Sequence, residues 1–333
     1  MRRFSLLLAF FIFAITAFSQ TDTTRQGWRK GGLISINVGQ GGSRNWAAGG
    51  EKWSISAAGY LNLFANKISG KWTWDNSLDI SYAFVNTNSL GYRKTDDRLD
   101  FVSKAGYKIS EKLSIAGLVN FRSQFYYGFD HNYLNQGLRR RTSGFMAPAY
   151  LTVAPGIDWK PTKSLSIFVT PISARWTLVT DRPYDYLFQG GVIPAQYQNA
   201  STGTNERPKA VLYGVDPERE VKFEAGGFAS IAFNRDVFRN VTFKSRLDLF
   251  SNYLKGYTFP GPTFTQAVRT DAHPEKVDVF WTNTITMKVN RFLNVTYNLD
   301  MIYDDDVKQF GPNQNVAAAQ FRTLLGVGFS TKF

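Results

Sequence analysis

Apolar and polar residues alternate with a period of two along most of this chain, most plainly from Lys71 to Phe84. Trp72, Trp74, Leu78, Ile80, Tyr82 and Phe84 share one face, while Lys71, Thr73, Asp75, Ser77, Asp79 and Ser81 share the other. A helix would mix the two sets; an extended strand, whose side chains point to opposite faces in turn, separates them. The same alternation returns at 34–38, 53–61, 98–108, 113–125, 151–159, 165–178, 221–231, 241–253, 277–287, 293–301 and 321–333. In the stretch from Leu165 the parity slips near Pro171, then resumes through Ile172, Ala174, Trp176 and Leu178, as a β-bulge would produce. No segment carries a helical period.

The connections are unequal in length. Short ones are expected near Ala65–Lys67, Ser110–Glu111, Pro161–Lys163, Asn234–Asn240 and Asn290–Phe292. Long ones are expected at Gly39–Lys52, Val85–Asp97, Tyr126–Ala147, Thr180–Glu220, Lys255–Lys276 and Asp304–Ala319. Short turns at one end and long loops at the other, with an even strand number, are the asymmetry of membrane barrels. Alternation alone also suits a soluble β-sandwich, but bulky apolar side chains on one face and charges on the other favour a lipid exterior around a hydrated lumen. The expected fold is all-β, a transmembrane antiparallel up-and-down barrel of about twelve strands, within a range of about ten to fourteen. Phe333 closes the last alternating strand with an aromatic residue, resembling the signal that the barrel-assembly machinery reads.

The first residues add a compartment. Arg2 and Arg3 precede an apolar run from Phe4 to Phe18, and Ala17 and Ser19 set up a cut before Gln20. Residues 1–19 therefore read as a signal peptide, and residues 20–333 as the barrel delivered to a bacterial outer membrane. The run is shorter than the roughly 20 residues of a membrane helix, which weighs against a retained anchor. The chain has no Cys, which excludes a lipid-anchored lipoprotein, disulfides and thiolate metal sites. Mean hydropathy is −0.25 with 16% aromatic residues, as expected where every second residue meets lipid and aromatic girdles mark the interfaces. With a net charge of +13, outer-membrane lipids and lipopolysaccharide are more fitting partners for an exported protein than nucleic acid.

Candidate chemistry is sparse. His131, beside Asp130, and His273, two residues from Asp271, are the two histidines, both in expected loops. Without a defined nucleophile nearby they assign no hydrolase. Asp304, Asp305 and Asp306 are carboxylates of the kind that bind a hard cation, but they lack the spacing of a calcium loop and suit a solvated turn. Arg139, Arg140 and Arg141 are either a clamp for lipopolysaccharide phosphates or an exposed charge run. Glycines between Gly39 and Gly50 precede no helix, so they make no nucleotide site. No catalytic, cofactor or metal residue is assigned, and no cofactor is expected. The expected luminal faces carry Lys71, Asp75, Asp79, Arg98, Asp100, Lys104, Lys108, Arg122, Glu224, Lys244, Arg246, Asp248, Lys288 and Arg322. Both signs are present with bases in excess, so the set suits either a salt-bridged plug or a narrow, anion-preferring pore.

GWRKGGLISINVGQGGSRNWAAGGEKWSIS, with Trp28, Asn45, Trp46, Gly49 and Gly50, together with KTDDRLDF, FMAPAYL, EAGGF, LDLFSNY, VDVFWTN and MIYDDDV, resembles a known family. It is the Bacteroidetes-type outer-membrane family called domain of unknown function 3078. The resemblance implies an outer-membrane barrel and no established activity or functional residue. The function expected from the sequence is a non-enzymatic passive channel or transport-type barrel for small solutes. The alternatives are a structural or envelope-interaction barrel with a closed lumen and, third, a loop-based hydrolase.

Overall fold

The computed structural model describes residues 26–44, 51–198, 203–261, 264, 266–290, 293–311 and 316–332. The leader, its cut before Gln20, the stretch Asn45–Gly50 and the terminal Phe333 lie outside the described residues. Twelve strands form the wall of a closed barrel. They are β1 (Gly27–Gly41), β2 (Ser54–Ser69), β3 (Trp72–Thr87), β4 (Gly91–Lys108), β5 (Leu113–Ser123) and β6 (Ala149–Thr162). The circuit continues with β7 (Leu165–Leu178), β8 (Val221–Phe238), β9 (Val241–Asn252), β10 (Val277–Lys288), β11 (Leu293–Tyr303) and β12 (Gln320–Lys332). Each strand pairs antiparallel with its neighbours in the chain, and β1 pairs with β12 to close the ring. The expected strand number and meander order are therefore those observed.

The two faces sort as the period-two pattern predicts. Trp28, Ile36, Trp72, Trp74, Ile115, Trp159, Phe223, Phe321 and Phe329 project outward and are exposed. Ser35, Asp100, Asp158, Arg175, Glu224, Asp248 and Asp300 project inward and are buried. Aromatic rings gather near both rims. Trp28 stacks near Trp74 at 5.6 Å and Trp72 near Tyr107 at 5.2 Å beside the short turns, and Trp176 meets Phe223 at 5.4 Å nearer the long loops. The described residues include no helix long and apolar enough to cross a membrane.

Several connections differ from the sequence expectation. Val85–Asp97 is not a long loop: β3 and β4 stay paired out to Thr87 and Gly91 around a tight turn at 88–90. Opposite Ala83 and Phe84 stand Asp96 and Lys94, so Thr95 is an extra residue. That bulge switches the parity of β4, which is why the segment reads as irregular. Ala65–Lys67 lies inside β2, and the turn falls at Gly70, where φ of +59° suits glycine. Likewise β8 runs to Phe238 and the turn that follows is only two residues long. The bulge expected at Pro171 is present: Ser173 and Thr170 oppose Gly226 and Phe228, leaving Pro171 and Ile172 against Gly227 alone. Proline has no N–H to give the ladder, so the bulge sits where the ladder loses least.

Loops cover the long-loop mouth. A hairpin (Gly128–Tyr133 with Leu138–Ser143) packs on the connection that follows β7 through Tyr133, Leu134 and Ile193, and Ala147, Val179, Ala210 and Val215, all fully buried, form a second cluster.

Candidate functional site: the luminal charge lattice

Because side chains alternate, every strand of the wall delivers polar groups into the bore. The curvature of the closed sheet then brings together residues from strands that are not neighbours. Arg122 of β5 reaches Asp248 of β9, and its Nε donates to Asp100 of β4 at 3.3 Å. Arg246 of β9 lies 2.7 Å from Asp248 and 3.4 Å from Asp100. Arg98 of β4 crosses to Asp300 of β11 at 3.2 Å, and Arg322 of β12 pairs with both Asp300 and Asp96. Asn120 donates to Asp100 at 2.7 Å, filling a further acceptor site on that carboxylate. Towards the short turns, Lys104 meets Asp158 at 2.8 Å, Lys160 meets Asp75 at 2.9 Å and Lys244 meets Asp79 at 3.1 Å. Tyr60 also donates to Asp79, at 2.5 Å.

Nearer the long loops a second knot forms around Arg175. Its guanidinium gives Glu224 two hydrogen bonds, at 2.9 and 2.8 Å, and lies 2.6 Å from Asp278 and 4.0 Å above the Phe250 ring. Glu224 is fully buried and Arg175 is 3% exposed. Lys222 adds a 3.1 Å contact to Glu224 and a pairing with Asp306. Buried charges are tolerated only when paired and hydrogen-bonded, which these are. An apolar cluster also lies on the luminal face: Ala116, Leu118, Ala154, Phe168, Phe228 and Phe250, with Val102 against them.

Of the luminal residues expected from the sequence, Asp75, Asp79, Arg98, Asp100, Lys104, Arg122, Glu224, Lys244, Arg246, Asp248 and Arg322 join this lattice. Lys71 does not: it belongs to the turn and places its ammonium 5.9 Å from the outward Tyr107 ring. Lys288 is exposed at the short-turn rim. The sequence reading missed Arg175, whose parity is obscured by the Pro171 bulge, and the luminal phenylalanines, since it expected polar groups alone on that face.

The remaining candidates resolve into structural roles. Asp305 pairs with Lys276 at 3.0 Å and Asp306 with Lys222, while Asp304 is buried and accepts the Asp306 N–H at 2.9 Å. Among the described residues no group of His, Asp and Glu is arranged to hold a metal ion. Arg140 is buried, over the Tyr133 ring and 3.7 Å from Glu206, and Arg141 pairs with Asp185 and, at 3.4 Å, with Asp181. Arg139 alone of the three stays exposed, stacked 3.7 Å from the Phe129 ring. His273 meets Glu275 at 2.9 Å. His131 stands near the Phe129 ring, and partial burial, with Arg93 and Arg139 nearby, lowers its pKa. The two histidines sit in separate loops.

The cap is bolted by the same kind of chemistry. Lys209 is wholly buried and donates to the Asp181 carbonyl; burial, reinforced by Arg141, lowers its pKa to about 8. Tyr213 donates to the Thr142 carbonyl at 3.2 Å, and Gln309 to that of Leu212 at 3.0 Å, tying three loops together.

The family described as "Protein of unknown function (DUF3078)" matches residues 38–129. Of the motifs quoted above, the glycine-rich N-terminal stretch from Val38 onward and KTDDRLDF fall within that match, and the others lie outside it. A comparison with curated proteins gives no match. Among solved structures, the chain is similar to an outer membrane channel from Pseudomonas putida F1, at 9% identity and a TM-score of 0.37, covering 96% of this chain and 100% of that one. It is also similar to the translocator domain of the autotransporter NalP from Neisseria meningitidis, at 9% identity and a TM-score of 0.36, covering 94% and 90%. A FadL homologue from Pseudomonas aeruginosa matches at 10% identity and a TM-score of 0.29, covering 92% and 89%. The barrel rests on its own hydrogen-bonded circuit, and these likenesses carry no argument about activity.

Proposed function

We propose that this protein is an outer-membrane barrel of the transport type whose bore is shut at rest by the luminal charge lattice. The outward apolar face between two aromatic rims supports the membrane setting, with the short turns in the periplasm and the long loops outside. One observation carries the transport reading: the bore is spanned by ion pairs rather than filled throughout by an apolar core. A permanently closed barrel is filled as well or better by packed hydrophobic residues, because buried ion pairs bring desolvation penalties that their attraction barely offsets. A charged interior rehydrates when its pairs part, which is what a gated conduit for small polar solutes needs. Lipopolysaccharide and outer-membrane lipids are the partners this exterior fits, with the barrel-assembly machinery acting during insertion.

The second reading, a closed structural barrel, is favoured by the apolar cluster around Phe168, Phe228 and Phe250. Planar-bilayer recordings separate the two. The unaltered protein is expected to be nearly silent, and Asp100→Asn with Asp248→Asn, which frees Arg122 and Arg246, is expected to open steady conductance. Silence of the folded double variant at all voltages would leave the structural reading standing.

A further inference from the structure

Closing the sheet joins the first strand to the last, and among the described residues this joint is the shortest ladder in the wall. β1 meets β12 over five rungs, from Leu33 opposite Lys332 to Asn37 opposite Gly328. By contrast β1 meets β2 over fifteen, from Gly27 to Gly41. Beyond Asn37, towards the long loops, Val38–Gly41 continue along β2 and Gln320–Val327 continue along β11, but the two stretches do not pair with each other. Among the described residues no other strand takes either edge.

The side chains of Ser330, Thr331 and Lys332 on this ladder lie outside the described ones. Arg322 ties β12 to Asp300 of β11, and Asn62 ties β2 to Asp79 of β3 at 2.9 Å, but no such tie crosses from β1 to β12 among the described residues. Arg322 and Leu324 face inward along the open stretch, and below them the inner lip is small, neutral and polar. Asn37 leans over two glycines: a Cβ on Gly326 would lie 2.6 Å from its Nδ2, and one on Gly328 would lie 2.4 Å from its Oδ1. Asn294 stands on the far side of Gly328 in the same row. The buried Ser35 Oγ, Asn37 Oδ1 and Asn294 Oδ1 have no hydrogen-bond partner within the protein. Facing outward at the same level are Val38, Phe321, Leu325 and Val327, all more than half exposed.

A backbone edge left unpaired does not persist against hydrocarbon alone; it persists where polar groups or water reach it from a cavity. This joint has such a polar inner lip and an apolar outer lip. We propose that the upper part of the β1–β12 joint is a lateral opening that lets the hydrocarbon chain of an amphipathic molecule pass between the bore and the bilayer. It rests on the membrane-embedded reading, but not on conduction along the axis, since a chain entering here comes in from the side.

The absence of cysteine allows single labelling sites. A fluorophore is attached at Leu324→Cys on the inner lip, at Thr282→Cys on the luminal face of β10, or at Leu325→Cys on the outer face. Each variant, shown to be folded by its heat-modifiable gel band, is placed in phosphatidylcholine vesicles carrying a doxyl-labelled acyl chain. Quenching at 324 is expected to reach at least half of that at 325, with 282 nearly unquenched. Quenching at 324 no greater than at 282, with 325 quenched, would overturn the proposal and show the joint sealed or covered by another strand. All three unquenched would instead remove the membrane-embedded reading. Hydrogen exchange on the unaltered protein in the same vesicles gives a second measurement. The β1-facing amides of Gln320–Val327 are expected to exchange at least tenfold faster than amides of β11, and equal protection would also overturn the proposal.

Discussion

Arg175 compensates two acids at once, and its environment sets what its loss would do. Replacing it with Met keeps most of the volume but leaves Glu224 and Asp278 buried without their shared cation. Removing one partner of a buried pair costs about 3–5 kcal/mol. Arg175→Met is therefore expected to lower the urea midpoint of the folded barrel strongly, and adding Glu224→Gln to recover part of the loss; an unchanged midpoint would show that the knot contributes nothing. Lys209 gives a prediction in pH. Its pKa in the folded cap is about 8, below the value of about 10.4 for an unconstrained lysine. Between these values the unfolded loop binds more protons than the folded one, so stability rises with pH across that window and is flat above it. Cleavage of the cap by proteinase K, measured as a ratio to Lys209→Met to cancel the protease's own pH response, is expected to fall from pH 8 to pH 10. A constant ratio would contradict it.

Polar groups on the outward face show how a lipid-facing surface carries an amide. Trp74 donates to Ser103 at 2.9 Å, Ser103 to Asn76 at 2.8 Å, and Asn76 to the Ala65 carbonyl at 2.8 Å. On β10 the series repeats: Trp281 to Ser245 at 3.1 Å, Ser245 to Asn283 at 2.8 Å, and Asn283 to the Leu299 carbonyl at 3.3 Å. Each chain of donors runs from an indole to the backbone, so no hydroxyl or amide is left bare. The elements themselves were legible wherever parity is unbroken, as in β3 and β11. They were misread at β4, where the Thr95 bulge and the run Lys94–Arg98 imitate a loop. Pro171 tests how strictly parity is enforced. Pro171→Ala keeps the bulge and is expected to assemble normally. Deleting residue 171 leaves Ile172 alone opposite Gly227 and keeps Arg175 facing the bore, so the heat-modifiable band is expected to be retained; its loss would refute the register of β7 against β8.

For the whole molecule, a one-residue step separates two environments. Arg in place of the outward Leu325 faces the bilayer and is expected to cost about 2–4 kcal/mol near the midplane. Arg in place of Leu324, its inward neighbour, faces the bore beside other charges and is expected to insert far better. Folded yield in vesicles compares them, and equal yields would mean that the two faces are not lipid and lumen. By itself the sequence determined which face a side chain takes wherever parity is unbroken, and how many strands the wall has, because the pleat is local and repeats every two residues. Tertiary structure alone decided which charges meet across the bore, that Arg140 and Arg141 turn inward, and where the ring closes weakly. Those outcomes depend on curvature and on the register between strands remote in sequence, as where Arg98 meets Asp300, and a local pattern contains neither.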